Sequence, residues 1–312
     1  MRILVTGAGG FVGRHLLRLL QDHPHHTVYA LAREVEDLDL PPEQRHAVDL
    51  RDREAVAAAM ARMQPQILVH LAGTTSVAQS WDDPETTFET NVLGTLHLSQ
   101  AILPDSLVRW INAGSAEEYA ARSSPLDESD PLRPASPYGT SKVAQEWLLH
   151  QMAQQKRFAL WQFRAFNQTG PGQAPSFVVP SLARQVFRAK SDQIDTIQVG
   201  NLSPVRDFLD VRDSAQLYVE AVEGRIPPGT YNLCSGNGRS IQSILDDLLE
   251  LAGVRAKTVV DPSRFRPVDA PYLVGSPHHL ETALGRPVAT VSWAKTLADL
   301  WQSLLESHLN ES

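Results

Sequence analysis

The sequence predicts an α/β fold: a doubly wound parallel sheet with a smaller C-terminal substrate-binding region. Three observations carry that expectation. A β-rich apolar run at the start feeds a glycine-rich turn. Short apolar runs then alternate with longer segments of helical periodicity up to about residue 166. Beyond that point proline becomes frequent and the alternation loosens. Repeated β-α-β units with right-handed crossovers give a parallel sheet covered on both faces.

The first strand is expected over residues 2–6. It runs into Thr6-Gly7-Ala8-Gly9-Gly10-Phe11-Val12-Gly13, and an apolar helix face follows over 15–20. Such a strand–turn–helix brings free backbone N–H groups and a helix N-terminus together, an arrangement that favours a pyrophosphate. Glycine lets the backbone turn tightly and approach phosphate with no Cβ in the way. Gly7, Gly10, Phe11, Val12 and Gly13 are therefore expected to bind a dinucleotide, in a Rossmann-type unit.

The next strand, 27–31, ends Leu31-Ala32-Arg33. An acid at that strand end would hold the adenine ribose 2′-hydroxyl and favour NAD. Ala32 is not one, and Arg33 offers a fork suited to a 2′-phosphate. The expected cofactor is NADP(H). The alternative leaves Arg33 solvated and gives the ribose to Glu34.

Further strands are expected over 66–71, 107–113 and 157–166, with helices over 84–103 and 137–153. A dinucleotide-binding domain over 1–166, with some later elements returning to it, precedes a mainly substrate-binding region over 167–312. That region carries helical patches at 179–190, 211–223, 241–251 and 294–308. The chain shows no internal repeat.

Tyr138-Gly139-Thr140-Ser141-Lys142 opens the helix predicted from residue 137. Residues four apart share one helix face. An ammonium beside a phenol favours phenolate, and a phenol near pKa 10 is otherwise a poor acid or base at neutral pH. Lys142 could also bind the nicotinamide ribose. Ser115, at an earlier strand end, could donate to the substrate oxygen beside Tyr138.

With the glycine turn, Ser115, Tyr138 and Lys142 together, the chain resembles the extended short-chain dehydrogenase/reductases over essentially its whole length. The resemblance implies that Asp49 and Leu50 contact adenine. It implies that Leu71, Ala72 and Gly73 of His70-Leu71-Ala72-Gly73 line the cofactor, and that Asn91 of Asn91-Val92-Leu93-Gly94-Thr95 supports the site. Arg164-Ala165-Phe166-Asn167 and Gly170-Pro171-Gly172 resemble the nucleotide-sugar branch. The runs 166–180 and Val205-Arg206-Asp207-Phe208 resemble its GDP-mannose dehydratases and 4-keto-6-deoxy reductases, the reductases more closely. That likeness implies a GDP-sugar substrate held by Asn167, Phe177, Val178, Arg184, Arg206, Arg264 and Arg266. Arginines are apt clamps for two phosphates.

Gly114-Ser115-Ala116-Glu117-Glu118-Tyr119-Ala120 departs from the dehydratase pattern. Glu117 falls where those enzymes keep a glutamate base. Ala116 replaces an aspartate common there, and Ala120 a glycine. The expected reaction is NADPH-dependent reduction of the 4-keto group of a GDP-4-keto-6-deoxyhexose, with Ser115, Tyr138 and Lys142 catalytic and Glu117 orienting a sugar hydroxyl. The alternative is dehydration with Glu117 as base. A non-catalytic dinucleotide sensor is disfavoured, because Tyr138 and Lys142 are both present.

The remaining features narrow the setting. The formal net charge of -8 argues against nucleic acid. No apolar run reaches membrane-spanning length, and the first residues lack the shape of a signal peptide. The single cysteine, Cys234, excludes an internal disulfide and reads as packing. A cytoplasmic setting is expected. His23, His25 and His26 are expected to form a solvated turn, with a metal site as the disfavoured alternative. The long helices over 84–103 and 137–153 resemble those that form a four-helix bundle in this family's dimers, so a homodimer is expected.

Overall fold

The computed structural model describes residues 1–103, 106–191, 194–264 and 270–311. The N-terminal part runs β1 (Arg2–Thr6), α1 (Phe11–Gln21), β2 (Thr27–Ala32), β3 (Arg45–Ala47), α2 (Arg53–Met63) and β4 (Ile67–His70). It continues through α3 (Val77–Asp82), α4 (Pro84–Phe88), a π-helical turn (Glu89–Leu93), α5 (Gly94–Gln100), β5 (Arg109–Ala113), α6 (Pro137–Lys156) and β6 (Ala159–Ala165). Then come β7 (Asn167–Thr169), α7 (Val178–Ser191), β8 (Thr196–Val199), β9 (Val205–Asp210), α8 (Val211–Glu223) and β10 (Gly229–Leu233). The last elements are β11 (Gly238–Ser240), α9 (Ile241–Ala252), β12 (Lys257–Val260), β13 (Tyr272–Leu273), α10 (His278–Leu284) and α11 (Trp293–Glu311).

Seven parallel strands form the main sheet in the order β10-β6-β5-β4-β1-β2-β3. Side chains alternate across a pleated strand, so one strand feeds two cores. Ile3 and Val5 of β1 join Leu16 and Leu20 of α1 and Val222 of α8 on one face. Leu4 joins Met60 of α2, Leu98 of α5 and Leu149 of α6 on the other. Central strands buried on both sides carry near-continuous apolar runs, and β4 is buried throughout, with His70 at its end. A third core ties α7, α9 and α11 together in the C-terminal region.

The chain reverses direction across the sheet between β1 and β4. Open α/β sheets bind ligands at the strand C-termini beside such a switch point. Gly7 follows β1 and Leu71 follows β4, so the predicted cofactor residues meet there.

The helix expected over 84–103 is not one regular α-helix. It carries a π turn at Glu89–Leu93, and Asn91 sits in that turn, fully buried. The Asn91 carbonyl is taken by Thr95 Oγ1 at 2.7 Å and Gln145 Nε2 at 3.1 Å. Such bulges are frequent at functional sites, and apolar periodicity does not register the extra residue. No helix among the described residues is long and apolar enough to cross a membrane.

Candidate active site

The glycine turn is built as a close approach. Gly7 has φ +68°, and a Cβ there would lie 2.6 Å from the Ala72 nitrogen. At Gly13 a Cβ would lie 2.4 Å from the Gly7 carbonyl oxygen. Gly10 caps α1 without any side-chain hydrogen bond, and the first turn of the helix carries no acid. The leading N–H groups of α1 have no intrahelical partner and no side-chain cap, a good fit to a dinucleotide diphosphate. Arg33 and Glu34, just past the end of β2, are both exposed. Asp49 is engaged by Arg51, whose Nη2 lies 2.7 Å away and holds the Asp49 carboxyl below its ordinary range. Leu50 is buried beneath Gly94, where a Cβ would come within 2.8 Å of its own.

A buried polar chain runs from this turn to the helices behind it. Thr6 Oγ1 lies 2.7 Å from His70 Nδ1 and accepts from the Ala72 N–H at 3.3 Å. His70 Nε2 in turn lies 2.9 Å from Thr95 Oγ1. Burial pushes the His70 imidazole down to about 3, so the ring is neutral. Asn91 is fixed at the same depth: its Oδ1 accepts from the Thr74 N–H at 2.9 Å and its Nδ2 donates to Ser141 Oγ at 2.9 Å.

Ser115, Tyr138 and Lys142 meet at the ends of β5 and β4. α6 starts with Ser136 as its cap, accepting from the Gly139 N–H at 3.0 Å, and Pro137 in its first turn. A Cβ at Gly139 would lie 2.3 Å from the Glu117 carbonyl oxygen, so only glycine lets α6 press against the turn after Ser115. Ser115 caps that short turn, with its Oγ accepting from the Glu117 N–H at 3.2 Å. Tyr138 is 7% exposed, and its phenol interacts with the Ser115 hydroxyl.

Lys142 Nζ donates to the Ala113 carbonyl at 2.8 Å and to Gln145 Oε1 at 3.0 Å. Burial lowers its amine to about 8. The expectation that Lys142 lowers the Tyr138 phenol is not met. Burial instead pushes that phenol well up, and Ser115 is the group that opposes the rise. The reason is geometric: the ammonium is committed to the strand end and Gln145.

Beneath Ser115 lies a pair of acids that sequence reasoning missed. Glu118 is fully buried, and its Oε1 accepts from the Ser115 N–H at 2.6 Å. Its Oε2 has no hydrogen-bond partner among the described residues unless it carries a proton. Burial, and then the neighbouring Glu146, push Glu118 well up. For Glu146, burial is outweighed by hydrogen bonds from His150 and Arg164, which hold it down at about 2. The pair thus keeps one proton, on Glu118. Arg164 closes the cluster, with Nε and Nη2 at 3.0 and 2.6 Å from Glu146 and Nη1 at 3.0 Å from the Tyr119 hydroxyl. The available signal was Glu146 one helical turn after Lys142.

The residues expected to hold substrate are scattered around the C-terminal lobe. Asn167 donates to the Asp207 carbonyl at 3.1 Å. Arg206 is buried on β9, donating to its neighbour Val205. Phe177 is 42% exposed at the foot of α7, beside Val178, and Arg184 is exposed on the same helix. Arg264 is bound to Asp261 at 3.3 Å, and Arg266 lies outside the described residues. The loop at Gly170-Pro171-Gly172 reaches the helix that follows the glycine turn, because the Pro171 carbonyl lies 3.1 Å from His15 Nε2 on α1.

Fold and constellation together define an extended short-chain dehydrogenase/reductase. A family model described as GDP-mannose 4,6 dehydratase matches residues 4–291, and the chain belongs to that family. It is 33% identical to the GDP-6-deoxy-D-mannose reductase of Pseudomonas aeruginosa over 97% of each chain. It is 27% identical to the GDP-6-deoxy-D-talose 4-dehydrogenase of Aggregatibacter actinomycetemcomitans over 98% of each. The solved structure of RMD from Pseudomonas aeruginosa complexed with NADPH superposes with a TM-score of 0.85 and 30% identity, over 98% of this chain and 99% of that one.

Proposed function

We propose that this enzyme reduces the 4-keto group of a GDP-4-keto-6-deoxyhexose to give a GDP-6-deoxyhexose, with NADPH as reductant. The observation that carries the reading is the likeness, over 97% of each chain, to a protein named as a GDP-6-deoxy-D-mannose reductase. Tyr138 suits it: its phenol is buried beside the Ser115 hydroxyl, so the two can share a carbonyl oxygen. The names of the reductase and 4-dehydrogenase relatives support redox chemistry on a GDP-6-deoxyhexose, and the second name places it at the 4-position.

NADPH, when bound, supplies the hydride that the carbonyl carbon receives. Gly7, Gly10, Phe11, Val12 and Gly13 would hold its diphosphate, Arg33 its 2′-phosphate, and Asp49 and Leu50 its adenine. Leu71, Ala72, Gly73 and Asn91 would line the nicotinamide half, with Lys142 on its ribose. The chain's own part is proton transfer and placement. Tyr138 passes its proton to the sugar's 4-oxygen. Ser115 already accepts from the Glu117 N–H, which leaves its hydrogen to steady the oxyanion as charge develops. Asn167, Phe177, Val178, Arg184, Arg206, Arg264 and Arg266 would hold the GDP, and Glu117 a sugar hydroxyl.

The dehydratase reading rests on Glu117, which is half-buried beside Ser115 and close enough to Tyr138 to raise its phenol. Mixing the protein with NADPH and GDP-4-keto-6-deoxymannose separates the two. The reductase consumes NADPH stoichiometrically, and Glu117→Gln stays active. A dehydratase converts GDP-mannose without added cofactor, and Glu117→Gln loses about 10²–10⁴ in rate.

Lys142 sets an expected pH limit. Its amine is charged below about 8 and neutral above. kcat/KM with NADPH should therefore fall as pH rises through that value. Lys142→Arg stays charged throughout, so whatever activity it retains should lack this fall. A profile unchanged by the substitution would assign the limb to another group.

The reading includes a homodimer formed by α4–α6. Trp147 of α6 is 66% exposed and Leu93 of the π turn 45%, both on the helices that pair in this family's dimers. Trp147→Asp is expected to halve the mass seen by light scattering. A wild-type monomer would contradict the dimer.

A further inference from the structure

His23, His25 and His26, expected as a solvated turn, are gathered by a partner far along the chain. Glu223, the last residue of α8, points one oxygen at all three rings. Its Oε1 lies 3.2 Å from His23 Nδ1, 3.6 Å from His25 Nε2 and 2.9 Å from His26 Nε2. His26 and Glu223 are 197 positions apart and largely buried. A carboxylate oxygen offers about two lone pairs, so three imidazole donors exceed what it accepts well. A cation between the nitrogen lone pairs and the carboxylate resolves that excess.

We propose that His23, His25 and Glu223 bind a divalent transition-metal ion of the zinc type. The three ligand atoms all lie within 4.8 Å of one another. With metal–ligand bonds near 2.0–2.2 Å, two ligands on a tetrahedral ion sit about 3.3 Å apart. The His23 and His25 nitrogens stand on either side of that spacing from Glu223 Oε1. Two imidazoles and one carboxylate suit zinc, nickel, cobalt or copper, whereas magnesium and calcium take all-oxygen sets. His26, with a side chain 4% exposed, donates to the ligating carboxylate and fixes it. His25 is 60% exposed, so solvent reaches the ion and water completes its shell.

The site lies where β2 begins, whereas Gly7 and Ser115 lie where their strands end. The ion therefore clips the α1–β2 turn to the end of α8, remote from the chemistry, and the proposal does not depend on the reductase reading.

The test uses the full chain, purified without a histidine tag and stripped with chelator, and titrates it with cobalt(II) or zinc. One equivalent of cobalt should bind with a visible ligand-field band, and zinc should raise the melting temperature. His25→Ala and Glu223→Gln should abolish both effects, and His26→Ala should weaken affinity about 10- to 100-fold. Ring-nitrogen NMR of the wild type supplies a readout that needs no variant: zinc should shift His23 Nδ1 and His25 Nε2. Absence of stoichiometric binding, binding that survives both substitutions, or unmoved His23 and His25 resonances would each overturn the site.

Discussion

Replacing Tyr138 with phenylalanine is expected to lower kcat about 10²–10⁴-fold, the range for removing a positioned acid. The ring is buried, and phenylalanine keeps its shape. Only the phenol hydroxyl and its contact with Ser115 are lost. NADPH affinity should stay within a few-fold and the melting temperature close to wild type, because the glycine turn is untouched. Steady-state kinetics with NADPH binding by fluorescence check this. A protein that binds NADPH equally well but has no turnover to lose would be a sensor.

The second large effect concerns folding. Arg164→Met is expected to destabilise the protein by about 3–5 kcal/mol, the range for breaking a buried ion pair from one side. Arg164 makes two short bonds to Glu146, and one each to the Tyr119 hydroxyl and the Glu128 carbonyl. Its loss leaves Glu146, 3% exposed, charged and without its main partner. Denaturant unfolding measures the difference, and adding Glu146→Gln should return part of it. Glu118→Gln should cost far less, because an amide resembles the protonated acid at that position. If Glu118→Gln were as damaging as Arg164→Met, Glu118 would be the charged member of the pair.

The sheet's central strands were legible because each carries an unbroken apolar run, Ile3–Val5 in β1 and Ile67–Val69 in β4. β1 and β4 read as strands for the same reason that they are buried on both faces. Tyr138 and Lys142 were legible because their spacing is that of a helix face, and Gly7 and Gly13 because a close approach tolerates no Cβ there. β9 was not read as a strand. Its sequence, Val205-Arg206-Asp207-Phe208-Leu209-Asp210, places charges where it is almost wholly buried. Those charges are matched only in three dimensions: the Asp207 carboxylate accepts from the Ser235 and Gly236 N–H groups. The Glu118–Glu146–Arg164 cluster and the meeting of Glu223 with the histidine turn were hidden for the same reason. Each depends on pairings between distant segments, and local periodicity carries no record of them. The effect of Lys142 on Tyr138 was misread because helix spacing fixes a shared face, not where a long side chain ends.

The most direct test of the central claim is to follow deuterium from labelled NADPH into the sugar. With GDP-4-keto-6-deoxymannose as substrate, NMR of the product should show one deuterium at the sugar's 4-carbon, with one NADPH consumed per sugar and the signal lost in Tyr138→Phe. Product lacking deuterium there, or NADPH left untouched while GDP-mannose is converted to its 4-keto form, would contradict the reductase and make Glu117 the base of a dehydratase.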